Sequence, residues 1–277
     1  MFRIAKLWTR AGLRARVVTV AGLVAACAII FWWQREPAAD PLPIPPVVEA
    51  LQDGIALRSL DGHAEGLAGQ PLAWAAEGRF AVVQGGRGLR HEWPGLALRS
   101  RFAGPSLVLQ FDDYVNRYRL TVDGTDVAVI TRPGKASIRV DGLGPGEHVL
   151  HLAKLSESPA PADIVGLRVP DGGTPLSPPA LPDRRIDVYG DSDSVGFGNL
   201  SAFRDCPGEN VFLQTDTTLA WPTLLAGRYG AVARVTARTG IGLVRNAGGA
   251  FPGKAMSDLW TEVLPSAPGV ADGGGSW

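Results

Sequence analysis

Five short runs rich in β-forming residues follow one another along the middle of the chain: Leu107–Phe111, Tyr118–Val122, Val127–Ile130, Ser137–Val140 and His148–Lys154. Turn residues separate them, at Asp123-Gly124, at Pro133-Gly134 and between Gly142 and Gly146. Strands of this length and spacing predict an all-β sandwich, for which a two-sheet jelly roll is one solution. On a strand, His148 and His151 sit an odd number of positions apart and point to opposite faces, which makes them poor partners for one metal ion and favours structural roles. Trp93, in the run HEWPG, has the amphipathic body to stack on a sugar ring, although a half-buried aromatic at the rim is the plainer expectation.

Two proline-rich breaks frame this region. REPAADPLPIPP holds Pro37, Pro41, Pro43, Pro45 and Pro46, and DGGTPLSPPALPD covers 171–183. Such composition reads as stiff, extended spacer. The chain therefore divides into an N-terminal segment (1–36), a linker (37–50), the sandwich (51–170), a second linker (171–183) and a C-terminal part (184–277). With 45% hydrophobic residues there is enough apolar material for a core in each folded part.

The formal net charge of zero conceals a division. Arg3, Lys6, Arg10, Arg14 and Arg16 stand in the first 16 residues without an acid, which leaves 22 basic against 27 acidic residues in the remainder. The absence of basic tracts beyond that tail argues against nucleic acid as a partner. Val17–Trp33 then carries no charge at all. As a helix it would span about 26 Å, at the short end of what crosses a bilayer, with Trp32 and Trp33 at the interface and the basic flank favouring a cytoplasmic N-terminus. Three readings stay open: an uncleaved membrane anchor, a cleaved signal peptide, and a lipoprotein signal acylated at Cys27. Each exports the rest of the chain. Cys206 is the only cysteine beyond that segment, so the exported part has no internal disulfide.

After the second break the pattern changes. Ile186–Tyr189 is a short apolar strand that runs directly into GDSDSVGFGN. Thr217–Tyr229 predicts a helix capped by Thr217 or Thr218, with apolar positions at Leu219, Leu224 and Leu225 and Pro222 in its first turn. Val232–Ala237 supplies another strand, followed by Arg238-Thr239-Gly240. Strand, helix, strand is the beginning of an α/β layer with parallel pairing. A Gly-Asp-Ser turn can be simply a turn. Placed at the end of a strand and facing a helix, however, Ser192 is exposed at the rim of the sheet, where nearby glycines let backbone N–H groups approach a developing oxyanion. Ser192 is the candidate nucleophile, with its own N–H and that of Gly240 as candidate oxyanion donors.

IDVYGDSDSVGFGN resembles the first signature block of the SGNH, or GDSL-type, hydrolases. QTDTTLAWPTLLAGRYGA followed by ARTGIGLVRNAGG, together with RHEWPGLALRSRFAGPSLVLQF and GEHVLHLAKLSE upstream, is similar to carbohydrate esterase family two, the acetylxylan esterase-like group. The resemblance runs from about Leu72 to Gly249. It implies a jelly roll preceding an α/β hydrolase domain, removal of acetyl groups from polysaccharide or oligosaccharide by a serine carboxylic-ester hydrolase, Ser192 as nucleophile, Gly240 as oxyanion donor, and no metal or organic cofactor.

This sequence departs from the family pattern in two ways. Asp193 and Ser194 stand where an apolar residue and threonine are usual; a carboxylate there would oppose an oxyanion if it pointed inward. More seriously, the Gly-x-Asn-Asp block and the Asp-x-x-His that carries the general base are not found after Gly240. The four histidines are His63, His91, His148 and His151, all upstream of Ser192. Without a base a serine hydroxyl is a weak nucleophile. The run PSAPGVADGGGSW offers no buried strand after Trp260–Leu264. The expectation is thus a partial hydrolase domain of low activity. Non-catalytic carbohydrate binding and a non-functional product are the alternatives.

Overall fold

The alternation written in the β-forming runs becomes a buried and an exposed face in the computed structural model of the chain, which describes residues 47–62, 69–157, 160–204, 208–249 and 253–273. In β9 (Arg117–Val122), Tyr118, Leu120 and Val122 are buried while the residues between them reach the surface. All five predicted runs lie within strands. The others are β8 (Ser106–Asp113), β10 (Thr125–Thr131), β11 (Gly134–Asp141) and β12 (Glu147–Lys154). Asp123 and Gly124 join β9 to β10 with φ of 52° and 79°. Both are left-handed, the type I′ geometry that matches the twist of a hairpin.

These strands form two antiparallel sheets packed round one core. The first has the order β1 (Val47–Ala50), β10, β9, β12, β7 (Ala97–Ala103), β14 (Thr174–Leu176), and β4 (Trp74–Glu77) also pairs with β7. The second runs β2 (Ala56–Asp61), β11, β8, β13 (Ala162–Pro170), β6 (Gly88–His91), β5 (Ala81–Val83), with β3 (Gly69–Pro71) on β13. Phe102, Leu107, Leu109, Phe111, Leu120 and Leu150, all essentially inaccessible, are at the centre. Two ranges expected to be spacers give strands to this sandwich: β1 comes from 37–50 and β14 from 171–183. Pro175 is tolerated because β14 is an edge strand, where a missing N–H breaks no inner ladder.

The C-terminal part adds a two-stranded parallel sheet, β15 (Arg184–Gly190) and β16 (Ala231–Ala237), paired from Arg184↔Ala231 to Gly190↔Ala237. All seven residues of β16 are buried, as expected of a parallel strand covered on both faces. Between the strands lie α1 (Ser192–Val195), α2 (Gly208–Gln214) and α3 (Trp221–Arg228). The helix predicted over Thr217–Tyr229 is shorter than expected and capped by a different residue. Asp216 caps a single 3-10 turn, Thr217–Leu219, by accepting the Thr218 N–H at 2.9 Å. The α-helix begins only at Trp221, because a helix running from 217 would set the Pro222 ring against the Thr218 carbonyl. Leu219 and Leu224 face outward instead of inward, and Pro222 and Ala226 make the buried contact, Ala226 against Ala231 and Ala233. No strand follows β16 among the described residues; α4 (Met256–Leu259) and irregular chain do.

Ile44–Trp277 is one compact unit, so the C-terminal part is seated on the sandwich. Arg79, 1% exposed, donates to Thr236 Oγ1 at 3.2 Å and to the Thr261 carbonyl at 3.1 Å. Trp93 is neither a rim aromatic nor a sugar platform. It is 2% exposed, packed with Ile241, Met256 and Leu259, and its Nε1 donates to the Glu262 carbonyl at 2.7 Å. The later chain folds over it. Val17–Trp33, Cys27, His63 and Cys206 lie outside the described residues. Among those described, no helix is long and apolar enough to cross a membrane.

Candidate active site

The chain turns sharply where β15 ends. Asp191 caps α1, its Oδ1 accepting the Asp193 N–H at 3.2 Å and its carbonyl accepting those of Ser194 and Val195 at 3.1 Å. Ser192 is therefore the first residue of a one-turn helix, half-buried, with an Oγ that bonds to no other described residue. Asp193 is exposed, whereas Ser194 is buried beneath the turn. That burial explains Gly190: a Cβ there would stand 2.0 Å from Ser194 Oγ and 2.7 Å from Ser194 Cβ. Gly190→Ala is expected to cost about 1–3 kcal/mol by overpacking this turn, read as a lower urea midpoint at unchanged m-value. Gly196 closes α1 in the left-handed region, φ 76°, with Asn199, Ala220 and Asp216 packed where a side chain would be.

Parallel pairing puts the loop after β16 at the same end of the sheet. Gly190 is opposite Ala237, and the Arg238 N–H donates to the Gly190 carbonyl at 3.4 Å. Gly240 lies two residues further on, at φ 77°. Neither the Ser192 nor the Gly240 N–H donates to another described residue. A hydroxyl and two unspent N–H groups at the carboxyl ends of adjacent parallel strands are the parts needed to attack a carbonyl and hold its oxyanion.

The described histidines are occupied elsewhere. His91 is inaccessible in the sandwich, its Nε2 2.8 Å from Tyr118 Oη, and burial together with the neighbouring Lys154 ammonium holds its pKa well below the ordinary imidazole range. His148 faces inward against Phe102 and pairs through Nδ1 with Asp123 at 2.7 Å. His151 points to the other face of β12. There it lines a cleft of about 140 Å³ with Glu77, Arg99, Thr223 and Ala231, and burial lowers its pKa, with Arg99 adding to the effect. Ala231 is at the opposite end of β16 from the residues leading to Gly240. Among the described residues no cluster of three or more His, Cys, Asp or Glu side chains could hold a metal ion.

Sequence reading missed the polar groups that attach these loops to the sandwich. Glu92, 2% exposed, accepts from Arg238 at 3.2 Å and from the Ser266 N–H and hydroxyl at 3.0 and 2.9 Å. Lys154, 1% exposed, donates to the carbonyls of Glu92 and Trp93 at 2.9 and 3.0 Å, and burial brings its pKa down to about 7. Asp216, fully buried, accepts from Arg119 at 2.7 Å, and its backbone is bracketed by the Asn199 amide in both directions at 2.9 Å. For Glu92 and Lys154 the sequence signal was a charged residue placed at a strand end; Asp216 lies outside any strand, as the cap of the turn at Thr217.

Comparison with known proteins agrees with this layout. Residues 76–179 match the family model described as carbohydrate esterase 2 N-terminal. An acetylxylan esterase / glucomannan deacetylase of Cellvibrio japonicus is 37% identical over 177 residues, covering 63% of this chain and 48% of that protein. A carbohydrate esterase whose active site is described as displaying divergent catalytic and non-catalytic binding functions superposes with a TM-score of 0.61 at 31% identity, over 71% of this chain and 58% of its own. A family two carbohydrate esterase from Clostridium thermocellum, solved with cellohexaose, gives 0.64 at 25% identity, over 72% and 61%. The fold is thus similar to that of carbohydrate esterases, which are carboxylic-ester hydrolases. More particularly, the chain is related to carbohydrate esterase family two. It spans about half the length of the curated relative it matches.

Proposed function

We propose that this chain acts on acetylated polysaccharide at the outer, or cell-exterior, side of a membrane, and that Ser192 Oγ is the acyl acceptor in removal of the acetyl group. The observation that carries the reading is the turn itself: a Ser192 hydroxyl with no described partner and two unspent N–H groups at the same end of the parallel sheet, in a chain whose sandwich and α/β start resemble an acetylxylan esterase / glucomannan deacetylase. Export rests on the basic tail and the uncharged Val17–Trp33. Ser192 would attack the acetyl carbonyl while the N–H groups of Ser192 and Gly240 receive the oxyanion. The sugar hydroxyl would leave, and water would then release acetate. Both proton transfers need a base, and none of the described histidines bonds to Ser192.

General base catalysis typically contributes about 10²–10⁴-fold, so these 277 residues alone are expected to release acetate slowly. Imidazole supplied as the base should raise acetate release from acetylated xylan or glucomannan about tenfold or more. Ser192→Ala should return the rate to that of imidazole without protein. Stimulation that survives Ser192→Ala would contradict the reading of Ser192, and a fast Ser192-dependent rate without imidazole would contradict the missing base. The lack of a histidine from residue 184 onward favours a second reading, carbohydrate binding without turnover. Retardation on xylan, mannan or cellulose affinity gels that is unaffected by Ser192→Ala, with no imidazole-stimulated release, would support it.

A further inference from the structure

The turn that carries Gly240 is fastened from outside its own sheet. Glu157, just past the end of β12 in the sandwich, accepts the Thr239 N–H on Oε1 at 2.8 Å and the Thr239 hydroxyl on Oε2 at 2.6 Å. The residue before, Arg238, is held on one side by Glu92 and on the other by the Gly190 carbonyl, two residues ahead of Ser192. Thr239 is therefore fixed in two directions by a single carboxylate that spans 82 residues of sequence. Charge-assisted bonds of this kind are shorter and roughly twice as strong as neutral ones. Gly240 has no side chain and, at φ 77°, open space where a Cβ would stand, so the direction of its N–H is set by the hydrogen bonds of the turn: the Ile241 N–H to the Arg238 carbonyl at 3.1 Å, the Ala247 N–H to the Gly240 carbonyl at 2.9 Å, and those of Glu157 to Thr239. The Gly240 N–H belongs to the peptide that joins it to Thr239, and Glu157 is the side chain that holds Thr239. An oxyanion donor acts only if it already points at the place where charge develops, and a misplacement of about 1 Å can cost 10²-fold.

We propose that Glu157 is a positioning residue: through Thr239 the sandwich aims the Gly240 N–H at the Ser192 site. This rests on the assignment of Ser192 and Gly240 made above. It gives the sandwich a part in the ester chemistry in addition to any contact with polysaccharide.

The test is the labelling of Ser192 by diethyl 4-nitrophenyl phosphate with imidazole present. Ser192 Oγ forms a bond to phosphorus, the bond to 4-nitrophenolate breaks, the serine proton passes to imidazole, and the phosphoryl oxygen occupies the oxyanion position. In Glu157→Ala the limiting labelling rate should fall about tenfold or more, with the half-saturating reagent concentration little changed, since loss of one oxyanion donor typically costs about 10²–10³. Glu157→Gln, which keeps an acceptor for the Thr239 N–H, should recover most of that rate. A Glu157→Ala protein that is folded by circular dichroism and labels within about twofold of the unsubstituted chain would overturn the proposal. If Glu157→Ala does not fold, Thr239→Val removes one of the two bonds alone; slower labelling supports the proposal and an unchanged rate overturns it. No labelling of Ser192 in the unsubstituted chain would remove the Ser192 assignment and this proposal together, whereas unchanged labelling in the variants removes only this one.

Discussion

Trp93→Ala is expected to lower the unfolding free energy by about 3–5 kcal/mol, the usual cost of deleting a large buried aromatic. Trp93 is where the sandwich inserts into the C-terminal part. Its indole is buried among Ile241, Met256 and Leu259, none of them in the main core, and its Nε1–H satisfies the Glu262 carbonyl. Alanine would leave a cavity on a junction with little else to fill it, and would orphan that carbonyl. The loss should be local. Amides of Met256–Leu259 and of the 238–242 turn should exchange faster with solvent, while those of β8 and β13, whose side chains meet in the sandwich core, keep their protection. Urea unfolding followed by hydrogen exchange checks both parts. A change below about 1 kcal/mol, or equal loss of protection across β8 and β13, would mean that Trp93 does not hold the two parts together.

Stability should also rise with pH on the alkaline side of neutrality, because of Lys154. In the folded chain its ammonium is buried among Asp113, Glu157, Glu92 and Arg238, with His91 nearby, and its pKa falls from 10.5 to about 7. Burial is the main cause; the three carboxylates pull the value back up, and Arg238 pushes it further down. Between those two values the unfolded chain binds a proton that the folded chain does not. The contribution is therefore fully present above the unfolded value and is lost as pH falls through the folded one. The slope should approach about 1.4 kcal/mol per pH unit from about pH 7.5 to 9.5. That window lies above the region where the lowered pKa values of His91 and His151 act, and below the range of the buried Tyr118 phenol, which burial and Asp113 raise well above 10. Lys154→Met should flatten the slope, as measured by urea midpoints across the window. An equal slope in Lys154→Met would assign it to another group.

Five of the sandwich strands, β8 to β12, were legible because they are local: β-forming runs separated by Asp-Gly and glycine-rich turns predict their ends to within three residues. The Gly-Asp-Ser turn was legible for the same reason, since Gly190, Asp191 and Ser192 act within one turn of chain. The helix after it was misjudged because Leu219 and Leu224 suggested an apolar face, whereas contact with an alanine-lined strand selects small residues, and Pro222 sets where the helix can begin. Trp93 was misjudged because its burial depends on residues about 150 to 170 positions later. Glu92, Glu157 and Lys154 gave no motif at all: each draws its meaning from a partner across the junction of sandwich and α/β layer, which spacing in the sequence does not encode.

The assignment of Ser192 as the acyl acceptor is met most directly by peptide mapping of the 277-residue chain after reaction with diethyl 4-nitrophenyl phosphate in imidazole buffer. The diethylphosphoryl group should be found on Ser192, in the peptide containing IDVYGDSDSVGF, and should disappear in Ser192→Ala without moving to another residue. Modification confined to other side chains, or a Ser192→Ala chain modified to the same extent, would contradict it.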